Sequence, residues 1–150
     1  MRQPVNVHVF LYRANAEGAL SYALLQRSDN GRWQGVSGGA EQGETPEQAA
    51  LRESMEEAGT PPDAPLLRLR TVSHIPAEVY AAHKIWGDAV QFVPMYHFAI
   101  PFDGEITLSP EHSAVRWLGF REALRLLSWD DQKAALRELH ARLEGKEAAQ

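Results

Sequence analysis

The chain has 150 residues, of which 44% are hydrophobic and 23% charged, and its formal net charge is −5. A chain of this length can bury its own hydrophobic core, so we expect one domain over residues 1–150. The acidic balance argues against a general nucleic-acid binder, although a few local arginines could hold a small phosphorylated ligand, and the absence of cysteine excludes disulfides, thiolate catalysis and cysteine-bound zinc.

The first part of the chain predicts a β-hairpin followed by a glycine-rich loop. Residues 5–14 alternate between apolar and polar side chains and are rich in valine, and residues 20–27 form a second apolar segment after the turn-like sequence NAEG. The segment SDNGRWQGVSGGAEQGE is rich in glycine, and we expect a loop there with a short strand at residues 33–36.

A helix with clear end signals follows this loop. Thr45 is a suitable N-cap, Pro46 fits the first helical position and Gln48 completes a capping box. Gly59 suits the left-handed conformation that follows the end of many helices. These signals predict a helix over residues 46–58.

The remainder of the chain alternates between strand and helix patterns. Further strands are expected at residues 66–75 and 90–100, with a short strand at 114–120, and helices at 121–127 and 129–143. Residues 144–150 are expected to fray. Strands interspersed with helices predict an α/β or α+β fold, in which helices pack on a mixed sheet.

Three glutamates, Glu53, Glu56 and Glu57, lie in the last two turns of the predicted helix. At 100° per residue they share one side, and the opposite side is apolar and is expected to face the core: Leu51, Met55 and Ala58. Negative charge at a helix C-terminus opposes the helix dipole and costs roughly 0.3–1 kcal/mol per charge. The cluster is either a solvated acidic face or a site for a divalent cation, which prefers oxygen ligands.

The segment GGAEQGETPEQAALRESMEEAGT joins the glycine-rich loop to the helix and resembles the Nudix box, G-x5-E-x7-R-E-U-x-E-E-x-G-U, where U is aliphatic. Seven fixed positions agree in identity and spacing: Gly38, Glu44, Arg52, Glu53, Glu56, Glu57 and Gly59. Ser54 and Thr60 replace the two aliphatic residues, and this departure concerns packing more than chemistry. The resemblance implies a mixed sheet between helices and the hydrolysis of a nucleoside diphosphate linked to another group, with Mg²⁺ or Mn²⁺ as cofactor.

The match to the box also implies a role for each polar residue of the motif. The implied metal ligands are the Gly38 carbonyl and the carboxylates of Glu53, Glu56 and Glu57. The three glutamates are the implied catalytic residues, and one of them would double as the general base. Glu44 and Arg52 are implied to orient the carboxylates without binding the metal.

The flanking segments extend the resemblance beyond the box. LLQRSDNGRWQGVSGG is similar to the strand and loop that precede the box in this superfamily, and LSPEHSAVRWLGFREALRLLSWDDQKAALREL resembles the C-terminal part of dihydroneopterin triphosphate pyrophosphatases and related bacterial nucleoside triphosphate pyrophosphohydrolases. The match implies a metal ligand at Glu111, a phosphate contact at Arg27, and substrate contacts at Ser37 and His112. Trp33 is either a packing aromatic or a residue that stacks on the ligand. Residues 61–94, where the base pocket is usually shaped, match no segment of the family.

These features support a first hypothesis and leave alternatives open. The first is a Mg²⁺-dependent pyrophosphohydrolase that converts a nucleoside triphosphate, or a related pteridine or purine triphosphate, into a monophosphate and pyrophosphate. One alternative is a broad hydrolase of oxidised deoxynucleotides, dinucleoside polyphosphates or nucleotide sugars. Another is a non-catalytic nucleotide-binding module, although the intact carboxylates of the box favour an enzyme.

The partners and the location follow from what the sequence lacks. The longest uncharged run, residues 89–102, contains two prolines and is too short to span a bilayer. The N-terminal apolar segment is too short and too alternating for a signal peptide. We therefore expect a cytoplasmic monomer or small homo-oligomer that binds a small-molecule nucleotide or pteridine triphosphate, and neither a nucleic-acid duplex nor a membrane.

Overall fold

A seven-stranded mixed sheet forms the centre of the computed structural model, which describes residues 2–145. The strands are β1 (Arg2–Ala14), β2 (Leu20–Arg27), β3 (Trp33–Gln34), β4 (Val36–Glu41), β5 (Leu67–Pro76), β6 (Phe92–Pro101) and β7 (His112–Leu118). The helices are α1 (Pro46–Ala58), α2 (His83–Trp86), α3 (Phe120–Leu126) and α4 (Asp130–Leu143), with a 3₁₀ turn at Ala77–Val79. Residues 146–150, most of the tail expected to fray, lie outside the described residues. No helix within residues 2–145 is long and apolar enough to cross a membrane.

The long first strand organises the sheet. The strand order is β3-β2-β1-β6-β5, with β4 also paired to β1 and β7 also paired to β2. The pairing of β1 with β6 is parallel, and the other pairings are antiparallel. The predicted hairpin of the first two strands and the mixed sheet are therefore confirmed.

Helices cover both faces of this sheet because successive strand residues point to opposite sides. On one face, Val7 and Val9 pack with Ala50 of α1. On the other face, Phe10 of β1 packs with Leu136 of α4, and α3 belongs to the same cluster. The observed arrangement confirms the predicted sheet between helices.

The segment predicted as a glycine-rich loop contains a strand. Val36–Glu41 forms β4, which pairs with β1 through Val7 opposite Gly38 and Val9 opposite Val36. Glycine has a low intrinsic strand propensity, so local sequence gives little sign of this element. Strand β1 supplies the pairing partner for this segment. The pairing places Ser37 opposite His8 and Gly38 opposite Val7.

Helix α1 has the predicted ends but a different buried face. Thr45 and Gln48 form the capping box, and Gly59 adopts the left-handed conformation with φ 79°. The buried residues are Ala49, Ala50, Ser54, Glu57 and Ala58. Met55, predicted to face the core, is 43% exposed. The prediction was therefore wrong for Met55 but right for Ala58, which is buried, and for Leu51, which packs against the core.

The two aliphatic positions of the box are buried although their residues are polar. Ser54 is fully buried and Thr60 is 2% exposed. Neither hydroxyl has a hydrogen-bond partner among the described residues. Both positions are therefore packed in the protein interior. Each carries a buried hydroxyl group without a hydrogen-bond partner among the described residues, which is unfavourable for folding.

A hydrogen-bonded chain of side chains crosses the sheet from β1 to β5. The backbone N–H of Gly35 donates to Nε2 of His8 at 3.0 Å, so His8 carries its proton on Nδ1 and donates to Nδ1 of His97, also at 3.0 Å. Nε2 of His97 then donates to the Ser73 hydroxyl at 2.8 Å. Burial lowers the pKa of both histidines, that of His97 to about 4. Both rings are thus neutral and structural.

Helix α4 is fastened to the irregular part of strand β5. The pairing of β5 with β6 shifts register between Arg68 and Val72. The Glu138 carboxylate accepts hydrogen bonds there from the backbone N–H groups of Arg70 and Thr71 at 2.7 and 2.8 Å, and from the Thr71 hydroxyl. These contacts hold α4 over the sheet and so fix the position of its N-terminal turn.

Candidate active site

A cavity of about 770 Å³ lies between the sheet and the start of α4. Ser37 and Gly38 of β4, Glu53 of α1 and Arg27 at the end of β2 line it, together with Glu111 of the loop before β7. Five of the residues predicted for the site are therefore brought to one cavity. Its size is in the range of small-molecule binding sites, roughly 300–1,000 Å³.

Arg52 is the centre of an ion-pair network that supports the glutamates. Its guanidinium binds the Glu44 carboxylate through two hydrogen bonds of 2.7 and 3.0 Å, and donates to the Gly39 carbonyl at 2.9 Å. Its Nη1 atom also donates to Glu53 at 3.0 Å and to Glu56 at 3.2 Å. One cation thus ties the loop before the helix to the carboxylates of its last turns.

The Glu53 carboxyl group lies directly against the backbone of Gly38. A Cβ atom at position 38 would lie 2.1 Å from Cδ of Glu53, which is shorter than any real contact. Burial raises the pKa of Glu53 to about 7, Arg52 acts in the opposite direction, and the neighbouring carboxylates raise it further. Glycine at position 38 therefore makes room for a carboxyl group whose pKa is raised by burial despite its contact with Arg52.

The Glu57 carboxylate is held from behind by two donors. The Ser109 hydroxyl donates to its Oε2 atom at 2.7 Å, and Nδ1 of His112 donates to the same atom at 3.0 Å. Burial lowers the pKa of His112, which the charge of Glu57 partly offsets. Both donors bind Oε2, so they fix the orientation of the Glu57 carboxylate.

Glu111 adds a further carboxyl group beside Glu57. Burial raises the pKa of Glu111, and the charge of Glu57 and a hydrogen bond shared with it raise it further, while Arg27 lowers it. Arg27 itself binds Asp29 at 2.9 and 2.6 Å and lies within electrostatic range of Glu111 and Glu57. Arg27 therefore lies near the carboxylates of Glu57 and Glu111, while Arg52 binds those of Glu53 and Glu56.

These groups fit a hard divalent cation by their chemistry. The carboxylates of Glu53, Glu57 and Glu111 and the Gly38 carbonyl are all oxygen donors, the type that Mg²⁺ prefers. Burial is the main cause of the raised pKa values of Glu53 and Glu111, and neighbouring carboxylates add to it, so a bound cation would favour the charged form of both groups. Within residues 2–145, no three histidine, aspartate or glutamate side chains are already arranged closely enough to hold an ion. Arg52 binds the Glu53 carboxylate and Ser109 binds that of Glu57.

Six of the residues predicted for the site are not among the described residues that line the cavity, Glu44, Arg52 and Glu57 included. Trp33 packs at the edge of the core formed by α3, α4 and the sheet. His112 is buried behind Glu57, and Glu56 projects outward with a half-exposed side chain bound to Arg52. Trp33, Glu56 and His112 are all absent from the described residues that line the cavity.

Sequence reasoning missed a second group of residues at the cavity. Residues 61–94, which match no family segment, contribute Tyr80 and Val79 to its wall. The Arg2 guanidinium lies over the Tyr80 ring at 4.7 Å and holds this segment against β1. Further residues that line the cavity come from β3 and the start of α4: Gln34, Trp129, Asp131 and Gln132. For these residues the sequence indicated only that Trp129 and Asp131 lie at the start of the helix predicted at residues 129–143.

Comparisons with known proteins agree with this geometry. A sequence model described as NUDIX domain matches residues 2–140. The chain is 36% identical over 129 residues to bis(5'-nucleosyl)-tetraphosphatase [asymmetrical] of Sus scrofa, covering 81% of this chain and 80% of that protein. It is 31% identical over 141 residues to dihydroneopterin triphosphate diphosphatase of Escherichia coli K12, covering 89% and 90%.

The fold is shared with solved structures as well. A NUDIX hydrolase from Listeria monocytogenes superposes with a TM-score of 0.85 at 34% identity, covering 97% of both chains. The match to the NUDIX sequence model extends through all seven strands and most of α4. The chain therefore belongs to the Nudix hydrolases, enzymes that act on phosphoric anhydride bonds.

Proposed function

We propose that the protein is a Mg²⁺-dependent pyrophosphohydrolase that converts a nucleoside triphosphate, or a related pteridine triphosphate, into a monophosphate and pyrophosphate. The observation that carries this proposal is the convergence of Glu53, Glu111 and Arg27 on one cavity, with Glu57 in contact with Glu111. Carboxylates suit the cation and the arginine suits a phosphate oxygen. The similarity to a dihydroneopterin triphosphate diphosphatase supports a triphosphate as substrate.

The residues of the chain divide the chemistry between them. Gly38, Glu53, Glu56, Glu57 and Glu111 are the proposed ligands of Mg²⁺, or of Mn²⁺ in its place. The bound ion would supply charge neutralisation at the phosphates and a lower pKa for the attacking water.

In the hydrolytic step, the water oxygen bonds to phosphorus as the α–β bridging P–O bond breaks. The bridging oxygen leaves with pyrophosphate after attack at the α-phosphorus, or with the monophosphate after attack at the β-phosphorus, and the water proton would pass to one of the three helix glutamates. Arg27 would bind the phosphates, and Ser37 would contact the substrate from β4. Arg52 and Glu44 would keep the carboxylates oriented, as their five hydrogen bonds to the loop and helix support. Trp33 and His112 stay as predicted substrate contacts, with no support from the cavity lining.

A second candidate is the asymmetrical hydrolysis of a dinucleoside tetraphosphate. The 36% identity to the tetraphosphatase of Sus scrofa favours it. The two candidates share the metal ligands and differ in the leaving group. A non-catalytic nucleotide-binding module is disfavoured because every carboxylate of the motif is present.

The proposal also covers where the protein acts and what it binds. The protein would act in the cytoplasm on a small molecule, as a monomer or small homo-oligomer, without binding a nucleic-acid duplex or a membrane. The net charge of −5 and the absence of cysteine support these expectations.

Product analysis tests the proposed reaction. Purified protein is incubated with Mg²⁺ and a panel of nucleoside triphosphates, dihydroneopterin triphosphate and dinucleoside tetraphosphates, and pyrophosphate and phosphate are measured separately. We expect pyrophosphate and a nucleoside or pteridine monophosphate from triphosphates. Release of phosphate alone, or turnover restricted to dinucleoside tetraphosphates, would refute the proposed reaction.

The Glu57→Gln variant tests the assignment of the carboxylates. We expect kcat/KM to fall at least about 100-fold, because the variant loses a negative ligand and a candidate base. The fold should persist, since the amide oxygen can still accept from Ser109. Glu47→Gln is the matched control on the same helix, because Glu47 is half exposed and binds Arg68 instead. Equal turnover by Glu57→Gln and wild type would contradict the metal assignment.

A further inference from the structure

Arg2, at the start of β1, is a cation of the cavity wall that has no carboxylate partner. The residue is half-buried and lines the cavity, and its Nη2 atom donates to the side-chain oxygen of Asn6 at 2.6 Å. Glu41 and Asp131 also line the cavity, but neither forms an ion pair with Arg2. Among the described residues Nη1 has no hydrogen-bond partner, and it is not fully shielded from solvent as Nε is. The guanidinium therefore presents N–H donors and an uncompensated positive charge.

The other two arginines of the site are already bound to carboxylates. Arg27 binds Asp29 through two hydrogen bonds of 2.9 and 2.6 Å. Arg52 binds Glu44 through two hydrogen bonds of 2.7 and 3.0 Å. Their positive charges are thus offset before any ligand arrives, because a carboxylate occupies the same donors that an anionic ligand would use. Arg2 has no such competitor.

Two aromatic rings hold the Arg2 guanidinium in position. It lies over the Tyr80 ring at 4.7 Å and over the Trp86 ring at 5.5 Å. The indole N–H of Trp86 also donates to the Arg2 carbonyl at 3.0 Å. Ring faces attract the flat face of a guanidinium and leave its N–H edge available for hydrogen bonds. The cation is therefore ordered in advance, which lowers the entropy cost of binding a ligand.

Two successive glycines of β4 bring Arg2 close to the carboxylates of the site. Gly38 makes room for the Glu53 carboxyl group, and Gly39 makes room for Arg2, because a Cβ atom at position 39 would overlap Nε of the guanidinium. Since neighbouring Cα atoms are about 3.8 Å apart, Nε of Arg2 lies at most about 11 Å from Cδ of Glu53. One polyphosphate chain can therefore reach both the carboxylates and Arg2.

We propose that Arg2 binds a phosphate group of the substrate, next to the phosphate that would lie at the carboxylates. A phosphate fits because a guanidinium binds its oxygens through paired, charge-assisted hydrogen bonds. This phosphate belongs either to the leaving pyrophosphate or to the monophosphate product. The inference rests on the proposed function, which supplies a polyphosphate beside Glu53.

Titration calorimetry in Mg²⁺ with inorganic pyrophosphate, GMP and guanosine tests the contact. Arg2→Gln should weaken pyrophosphate binding at least about tenfold if Arg2 contacts the leaving group, or GMP binding by that factor if it contacts the monophosphate. Arg2→Lys should lose less, because it keeps the charge without the paired donors. Unchanged binding of both pyrophosphate and GMP would overturn the inference. So would a loss for guanosine as large as the loss for either phosphate compound.

Two control variants separate a ligand contact from general charge and from a structural role. Arg13→Gln removes the same charge from the same strand, and it should change binding little, because Arg13 stacks on Trp117 at 4.0 Å and does not line the cavity. Trp86→Leu loosens the segment that contains Tyr80 but keeps Arg2, and Trp86 does not line the cavity either. It should weaken pyrophosphate and GMP binding much less than Arg2→Gln does. An equal loss would mean that Arg2 only fastens this segment, and would overturn the inference.

The outcomes separate this inference from the proposed function. If pyrophosphate or GMP binding depends on Arg2 in a protein that hydrolyses no triphosphate, the hydrolytic proposal is refuted and the phosphate contact is supported. If wild type hydrolyses triphosphates and Arg2→Gln binds pyrophosphate and GMP as wild type does, the phosphate contact alone is refuted.

Discussion

Replacement of Arg52 by lysine should destabilise the protein even though the charge is kept. The guanidinium makes five hydrogen bonds to Glu44, Gly39, Glu53 and Glu56. A lysine ammonium has three N–H donors at a single nitrogen and cannot reproduce the paired contact with Glu44. At least two bonds to charged partners are lost, each worth about 1.5–3 kcal/mol. Because the Arg52 side chain is 24% exposed, solvent reduces this total, and we expect a loss of about 2–4 kcal/mol.

Urea unfolding in EDTA measures this loss without interference from bound metal. The four tryptophans provide the fluorescence signal for the urea titration. In thermal unfolding, the melting temperature should fall by roughly 5–15 °C. Arg116→Lys is the control, because Arg116 lies exposed on β7. We expect that variant to stay within about 0.5 kcal/mol of wild type. If Arg52→Lys also stays within that range, the network does not stabilise the fold and the reasoning from its hydrogen bonds fails.

Three further predictions concern packing, pH and metal. Thr60→Val should raise the free energy of unfolding by about 1 kcal/mol, because it removes an unpaired buried hydroxyl at nearly constant volume. The pKa of His97 is lowered from 6.5 to about 4. The contribution of neutral His97 to the free energy of unfolding is therefore fully present above pH 6.5 and is lost as the pH falls toward 4. At pH 5 this loss is about 2 kcal/mol, and urea unfolding should show the gap between wild type and His97→Gln narrow by that amount from pH 7.5 to pH 5. Millimolar Mg²⁺ should raise the melting temperature of wild type, because the ion binds the folded state preferentially.

A specific result would contradict each of these three expectations. A decrease in stability for Thr60→Val would mean that its hydroxyl has a partner, such as a buried water. The raised pKa of Glu53 gives the opposite pH trend, but it acts in both proteins and cancels in the comparison with His97→Gln. A gap that stays constant with pH would contradict the neutral His97. Glu57→Gln should respond less to Mg²⁺, and the absence of any shift for wild type, with or without a nucleoside monophosphate, would count against the metal site.

The sequence predicted features that depend on neighbouring residues. The capping box of Thr45 and Gln48 and the left-handed Gly59 were correct because end signals act within a few residues. The approximate positions of the longer strands and helices were correct for the same reason, since their apolar periodicity is local. Gly38, Glu53 and Glu111 were also named from the sequence as candidate site residues. Only the fold places Glu111 beside a helix that lies more than 50 residues earlier in the chain.

Features that depend on distant pairing could not be predicted. Strand β4 exists because β1 offers a partner for a glycine-rich segment. The buried face of α1 is set by its close approach to the sheet, so Met55 is exposed and Glu57 is buried. Ser109 carries no recognisable pattern in its loop, yet it binds Glu57 across 52 positions of sequence.

The sequence by itself determined the reaction class, because the spacing of glycine, arginine and glutamates along one loop and helix is a local property that the chain states directly. The tertiary structure decided what surrounds that chemistry. It alone brings Arg27 from the end of β2 and Glu111 from the loop before β7 to the same cavity as Glu53. The physical reason is that these residues are far apart in the sequence, so only the pairing of the strands and the packing of the helices on the sheet can bring them together.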